Sequence, residues 1–328
     1  MLHSEGGEAK SLPSPVCCVE ETNVNFATLL NAMPGAVAQG MIWGIMAIGL
    51  FITYNVLNFS DLTVDGTMAT GGAVCIMLMM AGVNMWVALL CAIIAGMLAG
   101  LVTGLFHTAM GIPGILAGIL TQLSLYSVNL VIMGGKANQA VNIRKYQLIV
   151  SSRYVRELSF QNPIFVTLVV VVVLIAVLYW FFGREVGAAL RSTGANEAMS
   201  RAQGLNTNVY KIIGLMLSNG IVALASAMYS HYQGFVDVNM GRGAIVIGLA
   251  AIIISNVIFG RIFTNFAAKL FAVVIGAVLY YVVIQVVLWL GLDTNLLKLL
   301  SALVVAMFLA LPYWKGKLHL KRGGRANA

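Results

Sequence analysis

Residues 163–182 read PIFVTLVVVVVLIAVLYWFF, an apolar run with no acid or base in it. A helix needs about 20 such residues to cross the roughly 30 Å hydrocarbon core of a bilayer, so this run predicts a membrane span. Working outward, comparable runs occupy 34–56, 64–82, 85–106 and 112–133 on the N-terminal side. On the C-terminal side they occupy 209–230, 244–259, 263–290 and 294–313. The expectation is an all-α integral membrane protein of about nine spans (roughly eight to ten). The run at 244–259 is short for a full crossing, and the one at 263–290 is long enough to tilt or break.

Composition agrees. The 328-residue chain is 60% hydrophobic and 9% charged, where soluble domains carry roughly a quarter charged residues. Mean hydropathy is +0.93. The net charge of +8 comes from bases in the inter-span loops and tail, where they set orientation. No aromatic-basic patch marks a nucleic-acid module. Cys75 and Cys91 lie in apolar spans and read as small hydrophobes. The Cys17-Cys18 pair, and the scattered His3, His107, His231 and His319, form no metal motif. No cofactor is expected.

Residues 1–31 hold Glu5, Glu8, Glu20 and Glu21 against Lys10. That charge order is wrong for a cleaved signal peptide, and the stretch reads as a disordered leader. Residues 32–314 form the membrane domain, and 315–328 a tail with Lys315, Lys317, Lys321, Arg322 and Arg325 and no acid. Such a tail predicts a cytoplasmic C-terminus in a bacterial inner membrane. Counting spans back, loop 183–208 is cytoplasmic and loop 134–162 external. The latter holds Lys136, Arg144, Lys145, Arg153 and Arg156 against Glu157. The two basic loops flank one span, so one of them must break the positive-inside rule, and the tail selects which.

Spans one to four then begin outside and spans six to nine inside, with span five as connector. The two halves form an inverted-topology pair, a common plan for transporters. The second segment of each half opens on a polar, glycine-containing stretch, NFSDLTVDG at 58–66 and DVNMGRG at 237–243. These read either as half-helix ends beside a solute path or as interfacial loops with caps. Gly96, Gly100 and Gly104 recur at helical spacing, as do Gly111, Gly114 and Gly118, and allow helices to approach closely in lipid.

Loop 183–208 is the most informative soluble stretch. Asn196 is placed as an N-cap with Glu197 in the first turn, and Gly204 as a C′ glycine. Ala198, Met199, Arg201 and Ala202 between them make a short helix with an apolar side, suited either to docking in a partner's groove or to lying on the membrane. The core of this loop, ALRSTGANEAMSRAQGLN at 189–206, resembles the coupling loop of ABC importer permeases of the branched-chain amino acid and ribose group. NFSDLTVDGTMATGGA at 58–73 resembles the same family's segment after the first span. GIPGILAGILTQLSLYSVNLVIMG at 111–134 and DTNLLKLLSALVVA at 293–306 resemble the branch associated with tryptophan- or tyrosine-binding lipoproteins. The resemblance covers nearly all of 34–313.

It implies a second permease copy in a homodimer, two ABC ATPase subunits and an extracytoplasmic solute-binding protein. The chain has no G-x-x-x-x-G-K-[ST] phosphate loop, as a transport subunit without its own nucleotide site requires. For coupling to the ATPase the expected residues are Gly194, Asn196, Glu197, Arg201 and Gly204, with Arg201 pairing an acid on the partner. For the solute path they are Asn58, Asp65, Ser218 and Asn219. Asp61 and Asp65 also read as helix caps near a span end, and the polar residues of span four as helix–helix glue. The solute is expected to be an amino acid, aromatic by the resemblance. The alternatives are a permease of the same kind for a sugar or nucleoside, and a secondary transporter driven by an ion gradient. Against the latter, spans three, five and nine hold no Asp or Glu. No H-E-x-x-H or G-x-S-x-G pattern supports a membrane enzyme.

Overall fold

The computed structural model describes residues 26–141, 148–152, 155, 162–260, 262–290 and scattered positions between 299 and 310. The helices are α1 (Phe26–Phe51), which continues as a π-helical turn over Ile52–Val56, α2 (Thr63–Met80), α3 (Met85–Thr108), α4 (Gly114–Ile132) and α5 (Pro163–Phe182). Two short helices follow, α6 (Glu185–Ala195) and α7 (Glu197–Ala202), then α8 (Thr207–Gln233), α9 (Ala244–Phe259) and α10 (Phe266–Trp289). A two-stranded antiparallel ribbon, β1 (Asn138–Ala140) with β2 (Phe235–Asp237), pairs Asn138 with Asp237 and joins the two halves.

Seven of these helices are long and apolar enough to span a membrane. Much of the expected ninth run, most of the leader, the basic tail and most charges of loop 134–162 lie outside the described residues. α1 begins at Phe26, inside the stretch expected as leader, and already buries Leu29. α9, at 16 residues, is about 24 Å long and shorter than the hydrocarbon core.

The helices are not equivalent. Of the apolar stretch of the first span 83% is buried, and of that of α5 22%, so α1 is the core and α5 the rim. α3, α4 and α5 show Leu98, Leu123, Val131 and Val173 outward, as a lipid-facing surface should. Glycines set the close contacts. Gly96 and Gly100 lie against Asn219 and Leu215, and Gly104 against Ile212, so the repeat lays α3 antiparallel on α8. Gly71 meets Ala223 and Gly72 meets Ser226, so α2 runs parallel to α8. Gly40 and Gly44 meet Val278 and Val274, which fixes α1 antiparallel to α10.

These registers, with Phe182 and Phe51 both against Phe266, make α1, α3, α5 and α9 run toward the face carrying α6 and α7. α2, α4, α8 and α10 run away from it. The first helices therefore alternate in the opposite sense to α8–α10, the sense an inverted pair requires.

Candidate functional site

The α6–α7 face is assembled by local rules. Asn196 leaves the helical conformation and its side-chain oxygen accepts from Met199 N at 3.0 Å, which starts α7. Gly204 closes it at φ +84 with no atom near a would-be Cβ, while its N–H donates to Arg201 O and that of Leu205 to Ser200 O. Both caps stand where the residue types place them. Gly194 serves differently: a Cβ there would overlap Val56 O, so the glycine seats α6 on the end of α1. The Arg191 guanidinium donates to Phe182 O at 3.0 Å and ties α6 back to α5.

Glu197 is the hub. Its carboxylate takes Arg201 at 2.6 Å on one oxygen and Lys211 at 2.8 Å on the other. Arg201 also donates to Thr207 Oγ1 and Asn208 Oδ1. Its guanidinium, expected to meet an acid on a partner, is thus engaged within its own chain, because Thr207 and Asn208 open α8 directly beside it. Lys211 continues to His107 Nε2 at 3.4 Å. His107 Nδ1 lies 2.9 Å from Ile112 O, and a carbonyl only accepts, so Nδ1 carries the proton and Nε2 accepts from Lys211. α7, α8 and α3 are linked through one polar chain. The Lys211 hydrogen bond and charge, with Arg201, hold the Glu197 carboxyl below its ordinary value against partial burial. The exposed apolar side of α7 consists of Ala198, Met199 (58% exposed) and Ala202.

A second polar group lies within the bundle. Asn219 donates to Asp61 Oδ2 at 2.7 Å and accepts from Thr67 Oγ1 at 2.7 Å, which holds α2 to α8. Asp61 Oδ1 also accepts from Thr63 N at 2.9 Å and meets an orphan amide at the start of α2. Asp65 does the same for another helix. Its two oxygens accept from Gly243 N and Ile245 N, each at 3.0 Å, at the start of α9. That start lies inside the bundle, since Gly248 already packs on Met46 and Leu50 of α1. The polar stretches at 58–66 and 237–243 therefore do leave half-helix ends, and carboxylates from α2 and its leading turn satisfy them. In a membrane such amides have no water to turn to.

The expected path residues are only partly brought together. Asp65 caps α9, while Asn219 bonds Asp61 and Thr67, which flank Asp65 along the chain. Ser218 donates to Gly49 O at 2.8 Å and joins α8 to α1. Asn58 stands apart, exposed at φ 51 on the α6–α7 side of the bundle. Replacing Asp65 by Ala is expected to lower stability by about 1–2 kcal/mol, and by Asn less, since one acceptor remains. Thermal unfolding of the detergent-purified protein checks this, and equal melting of Asp65→Ala and wild type would refute the capping role.

Sequence reasoning missed Lys211 and His107. It also missed a Thr63–Thr103–Thr121 chain at 2.7 and 2.9 Å that ties α2, α3 and α4. A basic residue one turn into a span was the available signal for Lys211. Three cavities accompany these groups. One of about 560 Å3 opens beside Arg191, Gly194, Asn256 and Lys269, and a neighbour of about 550 Å3 shares Arg191 and Lys269. The third, of about 520 Å3, lies around Trp43, Tyr280 and Tyr281.

Residues 33–311 match the family described as branched-chain amino acid transport system / permease component. The chain belongs to that permease family. It is 36% identical to the tyrosine transport system permease protein of Clostridioides difficile (strain R20291) over 86% of this permease and 91% of the relative. It is 23% identical to the ribose import permease protein RbsC of Escherichia coli K12 over 74% of each chain. Among solved structures, PsaBC from Streptococcus pneumoniae in complex with Fab aligns with a TM-score of 0.50 at 16% identity. That alignment covers 88% of this permease and 95% of that chain, and shows the fold alone. The protein is a multi-pass inner-membrane permease subunit of an ABC-type importer for a small solute.

Proposed function

We propose that this permease imports an aromatic amino acid, delivered by an extracytoplasmic binding protein and driven by ATPase subunits on separate chains. The observation that carries the reading is the 36% identity to a tyrosine transport permease over nearly the whole of both chains. Two copies of the permease form the pathway, and one ATPase docks on each α6–α7 face, which lies in the cytoplasm with the C-terminal tail.

In this reading the apolar side of α7 is the ATPase contact, with Met199 at its centre. Asn196 and Gly204 hold the helix in shape and Gly194 holds its base against α1. Glu197 passes displacement of α7 through Lys211 to α8 and through His107 to α3. For ATP to drive transport it must bind one of two permease states more tightly than the other, and this polar chain is the element through which the difference reaches the spans.

The test is uptake into vesicles carrying the permease, its ATPase and its binding protein. Labelled tyrosine or tryptophan should accumulate with ATP inside the ATPase compartment and should resist an uncoupler. Accumulation of ribose instead, or collapse with the uncoupler, would refute the reading. Met199→Glu should weaken ATPase binding to the purified permease by about ten-fold, as loss of a central apolar anchor does. Unchanged co-purification would remove Met199 from the contact.

A further inference from the structure

Arg242 stands between β2 and α9, with its guanidinium carbon 6.0 Å from the centre of the Tyr126 ring. Tyr126 is in the middle third of α4, which places the cation at mid-span depth. Arg242 is exposed and makes no ion pair among the described residues. An arginine facing acyl chains at that depth is costly, so its surroundings are water or protein. The nearest carboxylate along the chain, Asp237, accepts from Asn239 N and Asn138 Nδ2, and Asp65, which reaches the neighbouring Gly243 N, is already taken up by the α9 amides.

Arg242 also lines the cavity of about 520 Å3, together with Trp43, Met240, Tyr280 and Tyr281. Trp43 is 5% exposed, and its indole N–H is directed at the Tyr229 hydroxyl. The neighbouring Tyr229 hydroxyl is occupied by Gln233 and Gln39. Among the described residues no Asp or Glu lines the space. An exposed guanidinium with no ion pair among the described residues, and aromatic walls around one cavity, complement a molecule with a carboxylate and a flat apolar body.

We infer that this cavity is a subsite on the transport path in which Arg242 holds the carboxylate of the transported amino acid. This rests on the amino-acid reading of the function and adds a place and a contact to it. The cavity lies in the half of the bundle remote from α6 and α7, since Trp43 meets Tyr229 late in α8.

The test uses the permease–ATPase complex in vesicles without binding protein, so that the binding protein's selectivity does not enter. L-4-azidophenylalanine is the photoprobe, and 4-azidophenethylamine, which lacks the carboxylate, is its control. The acid should label peptides containing Trp43 or Tyr280, and the amine should label them about ten-fold less, as loss of a charged hydrogen bond predicts. Arg242→Gln should cut labelling by the acid to the level of the amine, and Arg242→Lys should keep part of it. Equal labelling by both probes on the unmodified protein overturns the inference even if Arg242→Gln fails to fold. So does full labelling of a folded Arg242→Gln variant, the result expected if a lipid phosphate or the second copy satisfies the arginine. Failure of the complete importer to take up aromatic amino acids would instead overturn the functional reading.

Discussion

Glu197→Lys is expected to leave the permease inserted and bound to its ATPase while uptake falls about ten-fold or more, within the range of coupling free energies of ~1–3 kcal/mol. The substitution sets a third cation between Arg201 and Lys211, which now share one carboxylate at 2.6 and 2.8 Å. It severs the only link in the polar chain that joins α7 to α8 by charge among the described residues. ATP hydrolysis should continue, so the ratio of solute moved to ATP hydrolysed is the quantity to measure in vesicles. The double exchange Glu197→Lys with Lys211→Glu should recover part of it. An unchanged ratio in the single variant would sink the coupling role.

The pH dependence of the same group has a definite sign. A carboxyl held below its ordinary value of 4.5 stabilises the fold above that value and loses its contribution as pH falls through the lowered one. The carboxylate is 37% exposed, so solvent screens the effect and it stays small. Melting of Glu197→Gln and wild type should differ by a constant amount near neutrality and converge as pH falls through the lowered value.

Gly100→Val should be the most damaging single change in the membrane core. A Cβ at Gly100 would overlap Leu215 O and approach Met216 Cα, so two helix backbones would have to separate along the α3–α8 seam. Overpacking of this kind costs about 3 kcal/mol, and the seam also aligns Asn219 with Asp61 and Thr67. The expected result is loss of a monodisperse species in detergent, or melting many degrees lower. Leu98→Val, on the lipid-facing side of the same helix with Leu98 53% exposed, should change little. Wild-type melting of Gly100→Val would mean that α3 and α8 do not meet at this glycine.

Much of this protein is legible in one dimension, for reasons that differ by feature. Helices α2 to α5 and α8 to α10 begin and end within about three residues of the apolar runs, because bilayer thickness and backbone hydrogen bonding act on each segment alone. The caps of α7 were visible because Asn at an N-cap and Gly at φ > 0 answer to dihedral preferences within a single turn. The roles of Gly194 and Arg201 were harder to see. One is set by the carbonyl of Val56 and the other by the first turn of α8, and loop composition specifies neither contact.

Asp65 draws the boundary most clearly. Its position near a span end suggested either a cap or a path residue, and it is a cap for a helix that begins 179 residues later in the chain. Span lengths, helix caps and the glycine repeat of α3 follow from residue types and spacing. That α3 lays its glycines on α8, that Asp65 meets the amides of α9, and that Arg242 shares a cavity with Trp43 and Tyr280 depend on the folded bundle. Periodicity marks a face as buried without naming its partner, and inside a membrane a polar group takes whichever partner the packed helices bring within reach.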